Sequence, residues 1–209
     1  MELDVWLAFV AASTALLMIP GPTVLLVASY ALAQGRKVAV SCAGGVALGD
    51  FIAMSASLAG LGALVLASAT LFTVLKWIGA AYLIYLGIKL LRAQPHEGLA
   101  APKAAPAKSA RQVFGHAAAV TALNPKSIAF FIAFTPQFID PSTPLGPQFA
   151  ILIATFVTLA ALNALAFALA ADKLRASIAS PRVTQWLTRL GGGALIAMGV
   201  ATAAARRSS

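Results

Sequence analysis

Apolar residues run along most of this chain with few breaks, and the charged positions fall in short clusters between the runs. A helix needs about 20 predominantly apolar residues to cross the hydrocarbon core of a bilayer. Six stretches meet that length, at about 5–33, 39–65, 70–92, 114–137, 147–171 and 187–205. The pattern predicts an all-α membrane protein with six transmembrane helices. The joint between the second and third stretches is the least marked. Its "ALVLASATLF" carries neither proline nor charge, only Gly60 and Gly62 precede it, and Lys76 with Trp77 suggests an interface near there.

Two of the runs are interrupted. "LLMIPGPTVLLV" places Pro20, Gly21 and Pro22 in the middle of the first. At 1.5 Å per residue, its 29 residues would reach roughly 43 Å, against a core of about 30 Å. Proline lacks the backbone N–H, so Pro20 cannot bond the carbonyl of Leu16, nor Pro22 that of Met18. Carbonyls freed in this way are costly in lipid and belong against protein or a hydrated cavity. The fourth run holds "NPK" at 124–126. There Asn124 reads as an N-cap and Pro125 as the first helical residue. Both interruptions are read as breaks into half-helices, with simple proline kinks as the alternative.

Composition agrees with a membrane protein: 60% of residues are hydrophobic and 10% charged, where a soluble domain carries about 25% charged residues. The net charge of +9 does not point to nucleic acid, because the bases lie between apolar runs, as in cytoplasmic loops. Basic clusters occur at 34–37, from Lys89 to Arg111 and at 173–182, while 66–69 and 138–146 hold no base. The positive-inside bias then predicts an inner (plasma) membrane protein with both termini outside. The acidic "MELDVW" start fits that orientation and reads as part of a retained first span, not a signal peptide. Segment 93–113, rich in Pro, Ala and Lys, is expected to be a cytoplasmic linker. It separates residues 1–92 from 114–209. Each part would hold three spans, and three is odd, so the two would be inserted in opposite senses as inverted repeats, with the first and fourth helices broken.

Candidate chemistry is sparse. Asp50 falls near the middle of the second run, where a charge is expensive by at least about 2.5 kcal/mol. That cost falls on the charged form, and a carboxyl that trades a proton as water enters and leaves is what proton coupling requires. A structural hydrogen bond is the alternative. Lys126 would pair with Asp50, attract a carboxylate or snorkel to the cytoplasm. Asn163, at similar depth in the fifth run, would line a cavity or make a packing hydrogen bond. Two half-helix N-termini meeting near Gly21 and Asn124 would form a midplane site for the carboxylate of a small solute. Ser41, Gly45, Gly49, Ala53 and Ser57 recur every fourth residue and give a face for close helix approach, within the bundle or between the subunits of a homodimer. Gly79 and Gly87 would share a face of the third span, with Tyr82 beside a cavity or packed. Cys42 is the one cysteine, read as a small apolar residue. No metal site or cofactor is expected, and no nucleophile or zinc motif of a membrane enzyme occurs.

"PGP" in the first span, "GGVALGD" in the second, "KWIGAAYLIYLGIKLLR" in the third and "ALNPKSIAFFIAFTPQF" in the fourth together resemble the LysE/RhtB family of amino-acid exporters. Pro20, Gly21, Pro22, Gly45, Gly49, Asp50, Gly79, Tyr82, Leu86, Gly87, Asn124, Pro125 and Lys126 match the family pattern. The resemblance implies a proton-driven antiporter exporting amino acids or their derivatives. A metal-cation exporter of the same superfamily is the alternative, and the single buried acid argues against it.

Overall fold

The computed structural model describes residues 1–18, 22–92, 108–178 and 181–204. Among these residues the regular elements are all helical: α1 (Leu3–Leu17), α2 (Pro22–Gln34), α3 (Arg36–Ala67), α4 (Ala69–Leu91), α5 (Ala110–Ala122), α6 (Pro125–Phe134), a 3-10 turn (Thr135–Phe138), α7 (Leu145–Ile178) and α8 (Pro181–Ala204). Of these, α3, α4 and α7 are each long and apolar enough to cross a membrane. The pair Ala110–Ala122 and Ser127–Phe138, bent by 50° across the break between them, makes a fourth candidate if taken as one span. At 15 and 13 residues, α1 and α2 are each short of a crossing, because the first apolar run is divided between them.

Most boundaries follow the apolar runs, and the departures have local causes. Leu64 O accepts from the Ser68 amide, and Ser68 Oγ accepts from the Leu71 amide at 3.2 Å. This serine therefore closes α3 and caps α4, fixing the joint that the hydropathy left open. Gly35, at φ 82°, makes the turn between α2 and α3, a conformation glycine adopts without a Cβ penalty. At the second half, α5 starts at Ala110, inside the segment read as linker. Ser109 and Gln112 form a reciprocal capping box there, with bonds of 3.3 and 2.9 Å. The stretch 173–178, read as loop, continues α7 instead, since Lys, Arg and Ala are strong helix formers.

Side-chain contacts give the helix directions. Trp6 Nε1 donates to Thr155 Oγ1, and further along both helices Asn163 Nδ2 donates to Leu17 O, each at 3.0 Å; α1 and α7 therefore run the same way. Gly45 lies against Phe114 and Ala117, and Gly49 against Ala118 and Thr121, so α3 and α5 also run the same way. By contrast, Gly87 meets Gly192 and Ile196 while Gly199 meets Ala80 and Ile84, so α4 and α8 are antiparallel. Gly62 sits beside Phe149, whereas Cys42 and Ala43 share a core cluster with Ala164 and Ala168; α3 and α7 are antiparallel too.

The small-residue stripe of α3 is thus used within the chain, against α5. Gly79 and Gly87 do not share a partner: Gly79 meets Ala133 and Gly87 meets α8, since eight residues leave them about 80° apart around a helix. The larger core is aromatic. Phe9 meets Phe138 edge-on at 5.1 Å, Phe130 stacks on Phe134 at 4.7 Å and Phe131 meets Phe156 edge-on at 4.9 Å. Such pairs add about 0.5–1.5 kcal/mol beyond area burial. From the first turn of α7, buried Gln148 bonds both the N–H and C=O of Asp140 in the preceding loop, at 3.0 and 2.9 Å. The Asp140 carboxylate accepts from the Ser142 hydroxyl and amide, which holds its pKa below the ordinary value.

Candidate functional site

Of the residues singled out by sequence, Asp50, Asn124 and Asn163 lie beside the two helix interruptions. Asp50 lies on α3, one residue past Gly49. A Cβ at Gly49 would stand 2.5 Å from Thr121 Cβ and 3.0 Å from the Ala122 amide. Asp50 is therefore level with the last turn of α5, just before that helix gives way to Asn124. The side chain is 8% exposed, and among the described residues nothing hydrogen-bonds its carboxyl group. The close approach depends on glycine at 45 and 49, because any larger side chain would push α5 away.

At the second interruption, α5 ends at Ala122, the Asn124 amide donates to Thr121 O at 3.2 Å, and α6 begins at Pro125, with Ile128 N donating to Asn124 O. Asn124 thus stands at the N-terminus of a 10-residue helix, where free N–H groups and the helix dipole favour an anion. The side chains of Pro125 and Lys126 lie outside the described residues, as does any pairing of Lys126 with Asp50. Thr121 Oγ1 is buried beside this turn and has no hydrogen-bond partner among the described residues.

At the first interruption α1 ends at Leu17 and α2 begins at Pro22. Pro20 and Gly21 lie outside the described residues, as does the side chain of Pro22. What is described is the end of α1, and it has a partner the sequence did not reveal: Asn163 of α7 donates its amide to Leu17 O at 3.0 Å. Asn163 therefore makes a hydrogen bond that packs α7 against the end of α1. The acceptor is the carbonyl of the last residue of α1. Tyr82, half-buried on α4, packs against the aromatic core and lies 6.4 Å from the Tyr85 ring.

Where α5 bends away from α3, an apolar crevice of about 530 Å³ opens between α3, α4 and α6. Ala53, Leu75, Ala122, Leu123 and Ile128 are among its walls. Ser57, also on the wall, donates its hydroxyl to Ala53 O at 2.7 Å and so presents no free donor. Leu123 is 77% exposed at its edge. Among the described residues no group of three His, Cys, Asp or Glu side chains comes together to hold a metal.

Comparison with known proteins adds an independent line. Residues 14–206 match the family model described as LysE type translocator. A protein of Vibrio cholerae described as an uncharacterized membrane protein is 33% identical over 206 residues, 99% of this chain and 100% of that one. A homoserine/homoserine lactone efflux protein of Salmonella typhimurium is 33% identical over 208 residues, covering 100% of both chains. A leucine efflux protein of Salmonella choleraesuis is 36% identical over 142 residues, 67% of this chain and 66% of its own. No solved structure matches.

Proposed function

The chain belongs to the LysE-type translocator family, a multi-pass membrane protein and not an enzyme, and on that premise we propose that it exports amino acids or their derivatives from the cytoplasm by proton antiport. The cargo class is supported by relatives whose names are homoserine/homoserine lactone efflux and leucine efflux protein. The observation that carries the mechanism is the buried Asp50 set level with the end of α5, immediately before an anion-favouring helix start at Asn124. In this reading the carboxylate of the solute docks at the half-helix starts near Gly21–Pro22 and Asn124–Pro125, with Lys126 adding positive charge. Asp50 takes up a proton from the outside and gives it to the inside as the solute leaves.

Six spans in two inverted halves, 1–92 and 114–209, form the moving parts. The packing supports this. Let α1–α2 exchange with α5–α6, α3 with α7, and α4 with α8. The parallel pair α1/α7 then maps onto the parallel pair α5/α3, while the antiparallel pairs α3/α7 and α4/α8 map onto themselves. Asp50 and Asn163 exchange as well: each sits on its span beside the broken end of the other half's first helix. Rocking of the halves about this axis gives alternating access. A metal cation as cargo gains no support from the donor set, with Asp50 the one buried acid among the described residues.

The test is efflux of loaded radiolabelled leucine and homoserine from proteoliposomes, with and without a pH gradient. Wild-type protein is expected to drive efflux faster when protons can flow inward, and Asp50→Asn to lose that acceleration. Gradient-driven efflux by Asp50→Asn at the wild-type rate would remove Asp50 from the coupling.

A further inference from the structure

We propose that Asn163 is a positioning residue, whose side-chain amide in the second half of the chain holds the broken end of α1, in the first half, at the solute site. Leu17 is the last residue of α1, so its carbonyl lies where the intrahelical ladder has stopped. Helix ends leave such carbonyls unsatisfied, and within a bilayer there is no water to take their place. Asn163 Nδ2 reaches Leu17 O at 3.0 Å across 146 residues of sequence. The amide is suited to this task, since it brings a donor to the carbonyl without bringing a charge.

The element carrying it is equally suited. The helix α7 packs on α1, α2, α3 and α8, so a bond from α7 to the broken end links that end to most of the bundle. A second bond, Trp6 Nε1 to Thr155 Oγ1 at 3.0 Å, ties the opposite end of α1 to the same helix. The two bonds divide the work: the Trp6 bond fixes the start of α1, and the Asn163 bond alone of the two fixes where α1 stops. In the export reading the solute docks near this end of α1, so the restraint acts on binding without Asn163 touching the solute. This role rests on the export reading only for its consequence in transport; the restraint on α1 stands on the contact alone.

The experiment therefore has two arms. Hydrogen–deuterium exchange on the purified full chain reads the amides of the last turn of α1, Ala15 to Met18. Export of radiolabelled leucine and homoserine from proteoliposomes reads KM and Vmax. Asn163→Leu, close in size but without a donor, is expected to speed exchange in that turn about tenfold and to raise KM at least about fivefold, with Vmax within about twofold. Asn163→Gln, which keeps the amide, is expected to recover much of both, and serves if the leucine variant does not fold. Trp6→Phe removes the other tie and is expected to leave KM unchanged. Exchange in the last turn at the wild-type rate in Asn163→Leu would overturn the proposal. So would a Trp6→Phe variant that raises KM as much, since α1 would then need only general attachment. If wild-type protein exports neither solute, the export reading fails while the exchange arm still decides the role of Asn163.

Discussion

At the scale of single residues, what matters most is what is absent from a side chain. Gly49 is tolerable only as glycine, because a Cβ there would lie 2.5 Å from Thr121 Cβ and 2.7 Å from the Ala118 carbonyl, and backbone cannot move aside cheaply. Gly49→Leu is expected to destabilise the protein by about 1–3 kcal/mol or more through overpacking. Gly60→Ala meets open space and is expected to be neutral or stabilising by about 0.5–1 kcal/mol. Thermal unfolding in detergent separates the two. The sequence showed that a small-residue stripe exists, since the spacing of four is visible in the letters. It did not show what the stripe faces, because a partner helix 70 residues on leaves no local trace. Asn163 is the sharper case: as a letter it is one polar residue in an apolar run, and its meaning comes wholly from the Leu17 carbonyl it reaches.

At the scale of elements, caps and breaks decide where helices start and stop. The chain carries two start signals that hydropathy passes over. The first is Ser68, whose hydroxyl takes the Leu71 amide. The second is the Ser-x-x-Gln box at 109–112, a readable signature of a helix N-terminus. Ser109→Ala is expected to cost about 0.5–2 kcal/mol of helix stability. The effect should appear as faster amide exchange confined to the first turn of α5. The prolines act in the opposite direction. Pro125 is readable as a first helical residue because a missing N–H does no harm there, and α6 does begin at that residue.

At the scale of the whole molecule, helix directions turn separate elements into one machine. In the proposed orientation the linker faces the cytoplasm and the 139–144 loop faces outward. The background for testing this is favourable, since Cys42, the one cysteine, is buried. Ser142→Cys, on the exposed outer loop, is expected to react with a membrane-impermeant maleimide in intact cells. Lys103→Cys, in the linker, is expected to react only after the cells are opened. The reverse pattern would invert the topology and with it the direction of transport. Trp6, Thr155, Leu17 and Asn163 make α1 and α7 parallel, and the glycines of α3 make it parallel to α5. Among the described helices three, or four with the bent pair counted as one, are long and apolar enough to cross a membrane.

The sequence by itself determined that the chain is helical, that it belongs in a membrane, where most runs begin and end, and that an acid lies within the second. Those properties follow from local composition and period, which physics reads a few residues at a time: apolar length against bilayer thickness, and proline against the helix ladder. Only the tertiary structure decided that the α3 stripe receives α5, that Gly79 and Gly87 serve different neighbours, and that Asn163 completes the end of α1. These depend on which distant helices come together. Close approach and an unsatisfied carbonyl are conditions set by the partner, and no stretch of sequence contains its partner.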